Sequence, residues 1–146
     1  MEIRRATEDD VPAIVAMLAD DPLGVSREQP GSPAYRAAFK EIDSDSRQLL
    51  VVASSGEDVV GTLQLTFIPG LSRQGATRAL IEAVRVRSDQ RGGGLGGKLI
   101  EWAVETARAH GAAMVQLTTD ASRVDAHRFY ERLGFSATHV GMKLIL

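Results

Sequence analysis

Between Glu82 and Lys98 the sequence EAVRVRSDQRGGGLGGK places five glycines after a Val-rich run, with arginines before them and a lysine behind. Glycine reaches positive φ and carries no Cβ to hold a ligand away, so successive N–H groups can converge on one point. A helix opening there adds unsatisfied N–H groups and the positive end of its dipole, about +0.5 charge. The implied chemistry is the binding of a phosphate or pyrophosphate.

Three patterns compete for this stretch. Gly92-x-Gly94-x-x-Gly97 satisfies a dinucleotide fingerprint, and Asp120 stands near the distance of its acidic partner. That fingerprint normally follows a first strand, whereas here a long meander precedes it and no second nucleotide-binding half follows. Gly92-x-x-x-x-Gly97-Lys98 matches most of a Walker A loop, but Leu99 stands where a hydroxyl should meet magnesium. The third is Arg91-x-x-Gly94-x-Gly96, followed about 30 residues later by Asp125–Phe135, DAHRFYERLGF. Together these two blocks closely resemble the GNAT superfamily of N-acetyltransferases, and the likeness runs from the opening IRRATEDD through FYERLGF.

The resemblance implies acetyl-CoA as co-substrate, and no residues show the spacing of metal ligands, so no metal is expected. It assigns the pyrophosphate cradle to Arg91, Gly92, Gly93, Gly94, Leu95, Gly96 and Gly97, with added charge from Lys98. It also gives Val84 and Val86 to the pantetheine arm and puts the thioester near Glu82–Val84. An Asn common six residues before the family's FY pair is Arg123 here.

Chemistry adds its own constraints. An alkylamine of pKa about 10.4 is neutral in only about one molecule in 2,500 at pH 7, so attack on a thioester needs a base. Glu82 is the candidate, and strict strand alternation would set it on one apolar face with Leu80, Val84 and Val86. An ion pair with Arg78 or Arg85 is the competing role. Tyr130, a phenol of pKa about 10, is the candidate acid for a leaving thiolate of pKa about 8.5, and its position resembles the family's general acid. The implied reaction is direct acetyl transfer to an amine of a small molecule, peptide or protein. A non-catalytic acyl-CoA-binding regulatory module is the alternative.

These residues need elements to hold them. At 146 residues, with 25% charged side chains, the chain has the size and composition of one globular domain over residues 1–146. The net charge of -2 offers no general attraction to nucleic acid. No apolar run approaches the roughly 20 residues of a membrane helix, and Met1–Asp10 lacks a signal-peptide layout. With no Cys there is no disulfide or thiolate nucleophile, and a cytoplasmic protein is the expectation. Residues 1–46 carry ten acids against five bases, which favours a cationic acceptor.

Apolar periodicity predicts strands over Glu2–Ala6, Leu49–Ala53, Val59–Phe67, Ala76–Arg87, Ala113–Thr118 and Phe135–Leu146. Helices are expected after Thr7, after Ser32-Pro33, from Gly94 or Leu95 to His110, and over Val124–Leu133. Ala76–Thr118 then forms a strand-helix-strand unit with a right-handed parallel crossover. The fold class is α/β, an α+β mixed sheet of the GNAT type. Its largely antiparallel central sheet has six to seven strands, a splayed parallel pair and about four flanking helices. The acceptor is expected on the side of the Leu23–Pro33 loop, the Pro33–Arg47 helix and Phe67. Edge strands and family habit give a homodimer as the expectation for assembly.

Overall fold

In the computed structural model of residues 1–146 the first four strands form an antiparallel meander, and the fifth joins it in parallel. The strands are β1 (Glu2–Arg5), β2 (Gln48–Ser55), β3 (Asp58–Ile68), β4 (Arg78–Val86) and β5 (Met114–Gln116), and their order in the sheet follows the chain. The helices are α1 (Val11–Ala19), α2 (Ala34–Ser44), a single turn α3 (Ser72–Gly75), α4 (Leu95–Ala109) and α5 (Val124–Arg132). No helix is long and apolar enough to cross a membrane. The chain divides into two compact units, Met1–Gln116, which holds the whole sheet, and Leu117–Leu146, which holds α5.

The β2–β3 hairpin closes through a two-residue turn, Gly56 and Glu57, with Gly56 at φ 62. Register sorts its residues onto two faces. Val51, Ala53, Leu63, Leu65, Ala79 and Ile81 lie on one and are almost wholly buried. Against them α4 presents Leu95, Leu99, Ile100, Ala103 and Ala107; of the stripe Leu95, Leu99, Trp102, Ala103 and Ala107 expected from the spacing, Trp102 is only half-buried and Ile100 is buried instead. Gly61 is where that helix comes nearest: a Cβ there would stand 3.1 Å from the Leu99 side chain. On the opposite face Val52 packs with Ala6, Val11, Ile14, Val15 and Phe39, which brings α1 and α2 onto that side.

Pro12 sits in the first turn of α1, where its missing N–H costs nothing. Just before it, Asp10 is buried and accepts from both Arg4 guanidinium nitrogens at 2.7 and 2.9 Å. The Thr7 backbone N–H adds a third bond at 2.7 Å. The Arg4 hydrogen bonds, with help from Thr7, hold the Asp10 carboxyl below its ordinary pKa against the opposing effect of burial. A depressed folded-state pKa gives stability that is complete above the unfolded value, about 3.9, and is lost as pH falls through the folded one. Asp10→Asn should therefore flatten the dependence of Tm on pH below about 4; an unchanged acid slope in thermal melts from pH 2 to 6 would refute this role.

The segment Phe135–Leu146, expected to complete the sheet, contains no strand, so the sheet has five strands rather than six or seven. At its start the Thr138 N–H bonds the Ser136 carbonyl at 3.0 Å and the Thr138 hydroxyl meets the His139 ring, which turns the backbone locally. The alternating Val140, Met142 and Leu144 remain exposed, at 88%, 92% and 85%. Alternation signals a surface suited to a strand; it does not supply the partner a ladder requires.

Candidate active site

Strand β4 changes facing halfway along. Thr62 pairs with Arg85 and Gln64 with Glu82, so the single residue Leu63 stands opposite both Ala83 and Val84. This is a β-bulge, and Ala83 takes φ 53, a left-handed conformation that costs a residue with a Cβ about 1–3 kcal/mol. Strict alternation would have kept Glu82, Val84 and Val86 together. Instead the bulge puts Glu82 and Arg85 on the face of Thr62 and Gln64, while Val86 stands opposite Gly61 on the α4 face.

The surroundings of Glu82 therefore differ from the apolar face expected for it. It is exposed, and its cross-strand neighbour is Gln64. Neither suggested ion pair forms: Arg85 binds Asp21 at 2.9 Å, and the nearest partner of Arg78 is the Gln116 amide oxygen at 3.4 Å. Nearby, Gln48 Oε1 accepts from Gln64 Nε2 at 2.9 Å and from the Thr66 hydroxyl at 2.8 Å. Gln48, Gln64, Thr66 and Glu82 thus form a polar shelf across three strands. Its sequence signal was the polar alternation Thr62, Gln64, Thr66 inside an otherwise apolar strand. Phe67, expected beside the acceptor, lies on the other face, stacked on His110 at 4.8 Å between ring centres.

Beyond Val86 the chain makes one 3-10 turn, Ser88–Gln90, and enters the glycines. Gly92 and Gly94 have φ 84 and 82, values that need glycine, and Gly94 is the N-cap of α4. The helical ladder starts with Lys98 N–H to the Gly94 carbonyl at 3.2 Å, so the N–H groups of Leu95, Gly96 and Gly97 precede it. An added Cβ at Gly92, Gly94 or Gly97 would meet nothing within 4 Å, so the turn opens onto free space. Lys98 is exposed at its side and Leu95 is buried beneath it. Free donors, a helix N-terminus and an open approach fit a pyrophosphate.

Two acids missed in the sequence fasten this region. Asp21 caps the turn after α1, accepting from Leu23 N–H at 2.8 Å and Gly24 N–H at 2.7 Å, and pairs with Arg85 with both side chains largely buried. Arg91 bonds the Val86 carbonyl at 3.1 Å and the Asp20 carbonyl at 3.3 Å, with the Asp20 carboxylate 3.8 Å away. The loop between α1 and α2, which holds a 3-10 turn at Gly24–Ser26, is thereby joined to β4 at the bulge and to the start of the glycine turn. Nothing local marks these contacts, because more than 60 residues separate the partners.

In the second unit α5 ends at Arg132, with Leu133 as C-cap and Gly134 left-handed just beyond it, φ 97, where the sequence predicts the stop. Tyr130 is half-buried, with its ring edge-on to Phe129 and Phe135 at 5.1 and 5.9 Å. His127 Nε2 lies 2.9 Å from the Asp120 carbonyl, a local tie within this unit.

The bulged fourth strand of the mixed sheet thus leads into a glycine-rich helix N-terminus that is open to an anionic ligand. The sequence profile of the Acetyltransferase (GNAT) family matches residues 12–135, and the chain belongs to that family. It is 30% identical over 138 residues to the aminoalkylphosphonate N-acetyltransferase of Salmonella typhimurium, covering 94% of this chain and 86% of that protein. It is 30% identical over 139 residues to the L-methionine sulfoximine/L-methionine sulfone acetyltransferase of Pseudomonas aeruginosa, covering 91% and 78%. Among solved structures, one described as a transcriptional regulator from Bacillus halodurans C-125 superposes with TM-score 0.96 at 51% identity, over 99% of each chain. A Trypanosoma brucei acetyltransferase gives 0.82 at 28% identity, again over 99% of each. The protein is thus an acetyltransferase of the GNAT family, for which the family implies acetyl-CoA as co-substrate.

Proposed function

We propose that this protein transfers the acetyl group of acetyl-CoA directly to the primary amine of a small molecule. The observation that carries this reading is the bulged β4 running into the open glycine turn, with Glu82 exposed on the polar shelf beside the bulge. Leu95, Gly96 and Gly97 N–H groups, with Gly92, Gly93, Gly94, Arg91 and Lys98 around them, hold the pyrophosphate. Backbone groups at Val84 and Val86 take the pantetheine arm. Both acetyltransferase relatives named above act on small amines by their descriptions, which supports the small-molecule class.

In the reaction Glu82 takes a proton from the acceptor ammonium, and the neutral nitrogen forms its bond to the acetyl carbon. Collapse breaks the carbon–sulfur bond, and Tyr130 gives its phenolic proton to the departing thiolate. The second proton of the nitrogen returns to the Tyr130 oxygen, and that of Glu82 goes to solvent, leaving amide, free thiol and one proton. The role of Tyr130 rests on its place in the FYERLGF block.

Acetyl-CoA at 100 times its Kd should stabilise the fold by about 2.7 kcal/mol, several degrees in Tm. Thiol release should then follow on adding a primary amine. A thermal shift without thiol release across a broad amine panel would favour a regulatory acyl-CoA binder, a role compatible with the description of the Bacillus halodurans protein. No shift with acetyl-CoA would overturn the cradle itself.

A further inference from the structure

Three arginines stand on the sheet face that carries Glu82: Arg4 opposite Val52, Arg85 opposite Thr62, and Arg78 opposite Ile68. The first two are structural, each with a carboxylate at close range, Asp10 at 2.7 Å and Asp21 at 2.9 Å. Arg78 differs. It is half-buried, no carboxylate lies within ion-pair distance of it, and its bond goes to the neutral Gln116 amide at 3.4 Å. A partly desolvated guanidinium with only a long amide contact keeps most of its five donors for an incoming oxyanion.

Its position relative to Glu82 is set by register. Arg78, Leu80 and Glu82 are successive residues on one face of β4, before the bulge changes the alternation. Four strand steps separate the Cα atoms of Arg78 and Glu82 by about 13 Å, and both side chains are long enough to shorten the gap between charges. Leu80 floors the interval, and Thr66 and Gln64 border it from β3. Their bonds to Gln48 fix the two β3 side chains and leave Gln64 Oε1 as an acceptor on this side.

We infer that Arg78 anchors an anionic group of the acceptor, so that the substrate class is a small amine bearing a carboxylate, phosphonate or phosphate. The amine end is delivered to Glu82 and the oxyanion end to Arg78, along one strand. The inference rests on the transferase reading and assigns Arg78 as a specificity-determining residue.

The test compares 4-aminobutyrate and 3-aminopropylphosphonate with n-butylamine as acceptors. Wild type should prefer the anionic amines in kcat/KM by about 10- to 100-fold, mainly through KM, the worth of one charge-assisted pair. Arg78→Gln should collapse that preference towards unity, and Arg78→Lys should restore part of it. Equal use of anionic and neutral amines by wild type, or an undiminished preference in Arg78→Gln, overturns the inference. Should no amine be acetylated, the transferase reading fails, and the anion site is decided by thermal shift with the same compounds in the presence of CoA. Stabilisation by the anionic amines that Arg78→Gln abolishes supports the site; equal shifts in both proteins overturn it.

Discussion

Glu82→Gln is expected to lower kcat by about 10²- to 10⁴-fold, the range of a positioned general base, while the thermal shift with acetyl-CoA persists. The separation follows from where the residue lies. Glu82 faces the polar shelf before the bulge, whereas the cradle's free N–H donors start at Leu95, beyond the 3-10 turn and the glycines. Gln keeps the shape and loses the ability to take a proton. Because each added pH unit raises the free-amine fraction about tenfold below an amine pKa near 10.4, the deficit should shrink as the assay pH rises. A Glu82→Gln enzyme that turns over at near wild-type rate at pH 7, or whose deficit is the same at pH 9, would remove Glu82 as the base.

Asp21→Asn should be the most destabilising of the substitutions considered, by about 3–5 kcal/mol, because it leaves the Arg85 guanidinium buried without its counter-charge. The two side chains are only 16% and 12% exposed at 2.9 Å separation, so solvent screens the pair little. The same carboxylate accepts two backbone N–H groups of the α1–α2 loop. Against a total stability of about 5–15 kcal/mol, a loss of this size should lower Tm by roughly 10 °C or more. The exposed pair of Arg108 with Glu105, at 3.5 Å and with both side chains about two-thirds exposed, is the control. Glu105→Gln should cost less than about 1 kcal/mol. Chemical denaturation of both variants decides the matter: equal small losses would show that Asp21 and Arg85 are not the clasp that joins the loop to β4.

The bulge explains why part of the site could be read from residue order and part could not. Five glycines around Leu95, followed by Leu99, Ala103 and Ala107, announce a helix N-terminus with free donors, since φ freedom and helical spacing are local properties. The hairpin, the strand before the glycines and the helix capped at Gly134 are legible for the same reason. The family too rests on two short blocks whose chemistry is carried by backbone and spacing.

Facing, pairing and compensation are not local. An alanine at φ 53 has no sequence signature, yet Ala83 decides that Glu82 shares a face with Arg85 instead of with Val86. Apolar periodicity in Phe135–Leu146 promised a strand, but a ladder needs a neighbouring edge in register, and the segment contains no strand. Asp20 and Asp21 read as two more acids in an acidic stretch until the fold brings them to Arg91 and Arg85. The sequence alone therefore determined a glycine turn with free N–H donors, the helix it opens and the acetyltransferase family. Only the tertiary structure decided that, of the three arginines on the Glu82 face, Arg4 and Arg85 are held by carboxylates and Arg78 by a neutral amide.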